Sequence, residues 1–139
     1  MFLASLSVPS TLLICIAIAA VLVYVPFLLV GYARLQVGYD TSAPRTMLDK
    51  LPAYAQRATW AHQNSFEAFS LFAAAALMAY VTGQNTVYAV IAAIAHVTAR
   101  LFYSVFYILN VPILRSLMFA IGSLGTATLM ALSLVFGGR

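Results

Sequence analysis

Four long apolar runs dominate the chain, at residues 10–35, 58–81, 86–109 and 113–136. Each is long enough for a helix to cross a bilayer, which takes about 20 mostly apolar residues. Ser10 or Thr11 can cap the first helix, with Pro9 just before it. Pro26 lies inside that run and predicts a kink, which neighbouring helices in a membrane can accommodate. Thr82-Gly83-Gln84-Asn85 reads as a tight turn between the second and third runs, and Asn110-Val111-Pro112 as a tighter one before the fourth. The pattern predicts an all-α protein, an integral membrane four-helix transmembrane bundle in a single domain spanning residues 1–139.

Polar residues of ordinary loop composition occur only between the first two runs. Residues 36–56 hold Asp40, Pro44, Arg45, Asp49, Lys50 and Pro52. Arg34, Arg45, Lys50 and Arg57 crowd this side, and Arg115 falls there too. The other side offers an uncharged N-terminus, the 82–85 turn and Arg139. Positive charge favours the cytoplasm, so the long loop is expected inside and both termini on the non-cytoplasmic side. Met1 to Pro9 carries no positive charge and the apolar run continues to Val30, so a retained first span is expected and not a cleaved signal peptide.

Composition sharpens this. The 139 residues are 64% hydrophobic and 7% charged, with mean hydropathy +0.99. A soluble domain carries about 25% charged residues, so a soluble globular core is excluded. The net charge of +4 sits in the loop and at helix ends, which fits membrane topology and not nucleic-acid binding. Cys15 is alone in an apolar run and is expected as a small buried hydrophobe. No ligand spacing for a metal accompanies it or the two histidines.

Against so apolar a background, ionisable residues within the runs stand out. A charge at bilayer depth costs roughly 2.5–3.5 kcal/mol on insertion scales, so it usually has a partner and a task. On a helix Arg57, Asn64 and Glu67 fall within about an 80° arc, shared with Trp60 and Leu71. Asn64 and Glu67 could receive an ammonium group and Arg57 a carboxylate. A structural Glu–Arg pair between helices is the plainer account. His62 projects to the other side of the helix and suits a structural or intersubunit hydrogen bond. His96, Arg100, Tyr103 and Tyr107 lie within about 60° of one another on the third run. Tyrosines near membrane ends often serve only as interfacial anchors, a role open to Tyr107. Arg100 is the expected partner of Glu67. Arg115 opens the fourth helix, where a cation opposes the macrodipole, so it is either a topology signal or a cation held over a pocket. Gly122, Ser123, Gly125, Thr126 and Ala127 permit close helix packing.

Ala61-His62-Gln63-Asn64-Ser65-Phe66-Glu67 resembles the A-H-x-N-x-x-E stretch of the MAPEG superfamily, membrane-associated proteins in eicosanoid and glutathione metabolism. Ala99-Arg100-Leu101-Phe102-Tyr103, followed by Tyr107 and Arg115, is similar to that family's A-R-x-x-Y-x-x-x-Y…R region. The resemblance covers essentially the whole chain. It implies a homotrimer that binds glutathione as co-substrate between subunits near the cytoplasmic side. Asn64 and Glu67 would then hold the glutamyl end, with Arg57 as a further binding residue. Arg100, Tyr103 and Tyr107 would line the peptide site, and Arg115 would face the thiol as the catalytic cation. In the family's synthase members the glutathione-binding Arg precedes the motif Asn by four residues, a place held here by Trp60. The implied activity is that of a membrane-bound glutathione transferase or glutathione-dependent peroxidase in detoxification. Its partner would be a lipophilic electrophile or lipid hydroperoxide arriving from the bilayer. A non-catalytic lipid-binding or accessory protein of the same fold is the alternative, and a small transporter or channel subunit a third reading. A bacterial inner membrane is the expected location, or the endoplasmic reticulum if the source is eukaryotic, with the site facing the cytoplasm.

Overall fold

The computed structural model of the chain describes residues 6–137. The uncharged N-terminal residues and Arg139, which entered the charge asymmetry, lie outside that range. Four α-helices follow one another: α1 Val8–Val37, α2 Ala53–Val81, α3 Val87–Ile108 and α4 Pro112–Phe136. A 3₁₀ helix, Pro44–Lys50, lies in the long first connection. All four α-helices are long and apolar enough to span a membrane, and no strand occurs among the described residues. The all-α, four-span expectation holds.

Local chemistry moves two of the predicted helix starts. Ser7, and not Ser10 or Thr11, caps α1, its hydroxyl accepting from the Ser10 amide at 3.3 Å. Pro9 therefore falls inside the first turn, where its missing N–H would have had no helical acceptor. Helix α2 begins at Ala53, five residues before the apolar run suggested. Pro52 ends the preceding segment, and the five residues that follow it, with Gln56 and Arg57 among them, lie outside the apolar pattern. The two short turns form as expected. Gly83 at φ +67° follows α2, and Asn110 takes the left-handed conformation at φ +59° after α3.

The core is built from small residues. Leu12, Cys15 and Ala19 of α1 meet Phe72, Ala75, Ala76 and Ala79 of α2, with Ala89, Ala92 and Ala93 of α3 and Leu129 of α4. Side chains this short bring helix backbones close, which drives packing where lipid offers no hydrophobic contrast. At Gly125 the approach is closest, since a Cβ there would stand 2.6 Å from the Ala92 carbonyl oxygen of α3. The outer surface inverts the soluble pattern: Leu28, Val81 and Leu134 are 72, 76 and 75% exposed. Such a surface suits acyl chains. Cys15 is buried and unpaired, as its setting suggested.

Pro26 lies within the continuous helix α1 and, lacking an N–H, cannot donate to the Leu22 carbonyl. One residue on, the Val23 carbonyl lies 2.7 Å from His62 Nδ1 of α2. The His62 ring packs beside Phe27 and Tyr24, with centroids 4.9 and 5.6 Å away. His62 is thus a structural clip between α1 and α2 within one chain.

Candidate functional site

Arg100 organises the polar interior. It is 5% exposed, and its Nη2 donates to Asn64 Oδ1 at 3.0 Å and to Ser65 Oγ at 3.1 Å, both on α2. Its guanidinium carbon lies 3.9 Å from the centre of the Tyr103 ring. Two side-chain oxygens and an aromatic face thus stabilise this cation in place of a carboxylate. The expected ion pair with Glu67 does not form among the described residues. Asn64 and Ser65 face α3 at the level of Arg100, while Glu67 lies about 60° further round α2 and is exposed.

Towards the end of α3 the stripe continues as an alternation of aromatic rings and cations. Tyr103 and Tyr107 meet edge to face, with centroids 5.6 Å apart and planes at 73°. The Arg115 guanidinium then sits 4.6 Å from the Tyr107 ring centre. Arg115 was open to two readings; it lies on the stripe and not merely at a helix end. Asn64, Tyr103, Tyr107, Arg115, Ser116 and Phe119 line an open cleft of about 300 Å³. A second cavity, about 350 Å³, shares Asn64 and Phe119 with it. That cavity adds Glu67, Arg100 and His96 at its polar end, and Leu71, Ala127 and Met130 along an apolar wall. Two arginines against one carboxylate give the joint space a positive bias suited to an anionic ligand, with an apolar extension alongside.

Arg57 lines neither cavity. Its Nε donates to the Ile108 carbonyl at 2.9 Å, so it caps the last turn of α3 from α2. A cation on a helix C-terminus satisfies an orphan carbonyl and complements the dipole.

His96 lies on the stripe but faces inward, 2% exposed, its ring stacked on Phe72 at 3.9 Å with planes 4° apart. Its Nδ1 lies 3.0 Å from the Gly122 carbonyl and 3.1 Å from Thr126 Oγ1, both on α4. Sequence reasoning gave Ser65 and Ser116 no role. The only available signal for Ser65 was its place beside Asn64. Arg34, which counted towards the charge asymmetry, lines a third space of about 490 Å³ with Phe27, Arg45, His62 and Gln63. No group of three His, Cys, Asp or Glu suitable for a metal ion occurs among the described residues.

No curated protein and no solved structure matches the chain. A family model described as the MAPEG family matches residues 11–135, nearly its full length and every element of the site. The match takes in all but the outermost residues of α1 and α4, with the whole of the Asn64–Glu67 segment and the Arg100–Arg115 stripe, and the chain belongs to the MAPEG family.

Proposed function

We propose that the protein is a membrane-bound glutathione transferase, with glutathione-dependent peroxidase activity at the same site. The observation that carries this is Arg115, held over Tyr107 at the mouth of a cleft also lined by Asn64, Tyr103 and Ser116. Glutathione is anionic at neutral pH, and the positive bias of the cleft suits it. Asn64 and Glu67 would take its glutamyl ammonium group; Arg100, Tyr103 and Tyr107 would line the rest. Arg57 would contribute only its terminal guanidinium nitrogens, its Nε being engaged by Ile108.

Arg115 supplies the chemistry. A free thiol has a pKa near 8.5, and the thiolate is the nucleophile. Lowering that value by two units takes about 2.7 kcal/mol of differential stabilisation, within reach of one guanidinium in a partly dry cleft. The thiolate would then attack an electrophilic carbon of a lipophilic partner, forming a thioether as a leaving group departs or, on an activated double bond, as the displaced electron pair takes up a proton. With a hydroperoxide it would attack the distal oxygen, releasing an alcohol and leaving a sulfenic acid that a second glutathione reduces. The apolar wall along Leu71, Ala127 and Met130 would accept the lipophilic partner. Family membership supports a homotrimer, and the charge asymmetry supports a cleft that faces the cytoplasm.

The test is the ultraviolet absorbance of the glutathione thiolate on adding purified protein at neutral pH, beside Arg115→Ala. A band in the wild type that disappears in the variant is expected. A non-catalytic lipid-binding protein of the same fold is the second reading, favoured by the engagement of Arg57 with Ile108. It predicts no band even where glutathione binds.

A further inference from the structure

Two buried polar atoms in the centre of the bundle lack a hydrogen-bond partner among the described residues: His96 Nε2 and Arg100 Nε. Their residues are 2 and 5% exposed. An orphaned polar atom at this depth is costly, so two on adjacent turns of one helix call for a common partner.

The proton position on His96 follows from its contacts. The Gly122 carbonyl 3.0 Å from Nδ1 can only accept, so Nδ1 carries the proton in the neutral ring. Nε2 is therefore an acceptor. It leaves the ring away from the Nδ1 contacts with α4. Arg100 Nε, one turn along α3, is an obligate donor. Both residues line a small cavity with Ala19, Leu22 and Val23 of α1 and Ser65 and Phe69 of α2. It gives about 10 Å³ to the centre of a water-sized sphere, room for one water molecule. Leu22 is the residue whose carbonyl lost its helical donor at Pro26.

We propose that a single internal water occupies this cavity and that, through it, His96 positions Arg100. The water donates to His96 Nε2 and accepts from Arg100 Nε–H. Its second proton goes to the Leu22 carbonyl or to Ser65 Oγ. The resulting three bonds match the number that holds a typical buried water. Arg100 is then fixed from both sides: Nη2 by Asn64 and Ser65, Nε by the water. His96 is a positioning residue for the guanidinium that faces the cleft, a consequence for ligand binding that rests on the proposed function. The water and its hold on Arg100 do not.

Two amide substitutions separate the nitrogens of His96. His96→Asn places an amide donor near Nδ1 and keeps the bond to α4, but removes the acceptor at Nε2. His96→Gln reaches the Nε2 position and can present its oxygen to the water. In detergent-solubilised protein, oxygen-17 relaxation dispersion detects long-lived internal water, and nitrogen-15 NMR follows the Arg100 Nε–H. One long-lived water and a slowly exchanging Nε–H are expected in the wild type and in His96→Gln, with faster exchange of both in His96→Asn. Glutathione affinity by calorimetry should fall about tenfold in His96→Asn and stay within about twofold in His96→Gln, the loss of one charge-assisted bond. If His96 serves only to clip α3 to α4, the two variants exchange places, and the proposal fails. It fails equally if the wild type holds no long-lived water. A wild type that binds no glutathione would overturn the transferase reading, while the water and the Nε–H would still decide this one.

Discussion

Gly125→Ala is the most direct probe of how α4 meets α3. An added Cβ would stand 2.6 Å from the Ala92 carbonyl oxygen, a backbone atom that cannot rotate away. Ordinary contact begins at 3.4 Å, so α4 must retreat by about 0.8 Å. Gly122 lies one turn earlier on the same face, and its carbonyl would retreat too. The His96 Nδ1 contact, now 3.0 Å, would open to about 3.8 Å, beyond hydrogen-bond reach. Overpacking of this kind costs about 1–3 kcal/mol and the lost hydrogen bond about 1 kcal/mol. The gain in helix propensity returns about 0.5–1 kcal/mol. The expected net loss is about 1–3 kcal/mol, read by equilibrium unfolding of the solubilised protein with helix content followed by circular dichroism. Gly122→Ala is the internal control. A Cβ there meets Arg100 Cδ, Ala99 Cβ and His96 Nδ1 at 3.5–3.7 Å, all ordinary contacts, so its stability should lie within about 0.5 kcal/mol of wild type. Equal stability of the two variants would refute the account of the α3–α4 contact.

Other perturbations follow from single contacts. Arg57→Ala removes the donor to Ile108 and should cost about 1 kcal/mol, the low side for a charged donor because the residue is half-buried, with faster amide exchange confined to the last turn of α3. Exchanging the charges of Glu67 and Arg100 should not rescue either single variant. A double-mutant cycle should give a coupling within about 0.5 kcal/mol, and a larger favourable coupling would mean that the two residues pair after all. In the first loop, the Ser42 hydroxyl and amide, donating to Asp40 at 2.7 and 3.0 Å, hold its carboxyl below the usual carboxylate range. The contribution of this turn is therefore complete above the ordinary carboxylate pKa and fades as pH falls through the lowered value. The Ser42 amide signal should titrate in that acidic window and lose its pH dependence in Asp40→Asn. A midpoint at the ordinary carboxylate value would contradict the assigned bonds.

Hydropathy carried the fold because a span must be apolar over its whole length, so the number of helices and the short turns at Gly83 and Asn110 were legible in the sequence. The starts of α1 and α2 were not. Ser7, Pro9 and Pro52 set them through local hydrogen bonding, which run length does not record. Helical spacing placed Arg100, Tyr103 and Tyr107 on one line, and the structure keeps them there. Spacing could not choose the partner of Arg100, because Ser65, Asn64 and Glu67 all lie within one turn of α2. Rotation of that helix against α3, set by the packing of its alanines, decides the choice. His62 likewise reaches the Val23 carbonyl of α1, a pairing across two helices that no periodicity contains.

Arg57 reaches from the start of α2 to the last turn of α3, where its Nε donates to the Ile108 carbonyl. Tyr107 and Arg115 lie at this same end of the bundle, on either side of the turn at Asn110. A site at the end of an apolar bundle borders two media at once, water beyond the helix ends and acyl chains at the side. Under the proposed function, a water-soluble reactant and a lipid-soluble one would meet there without either leaving its own medium.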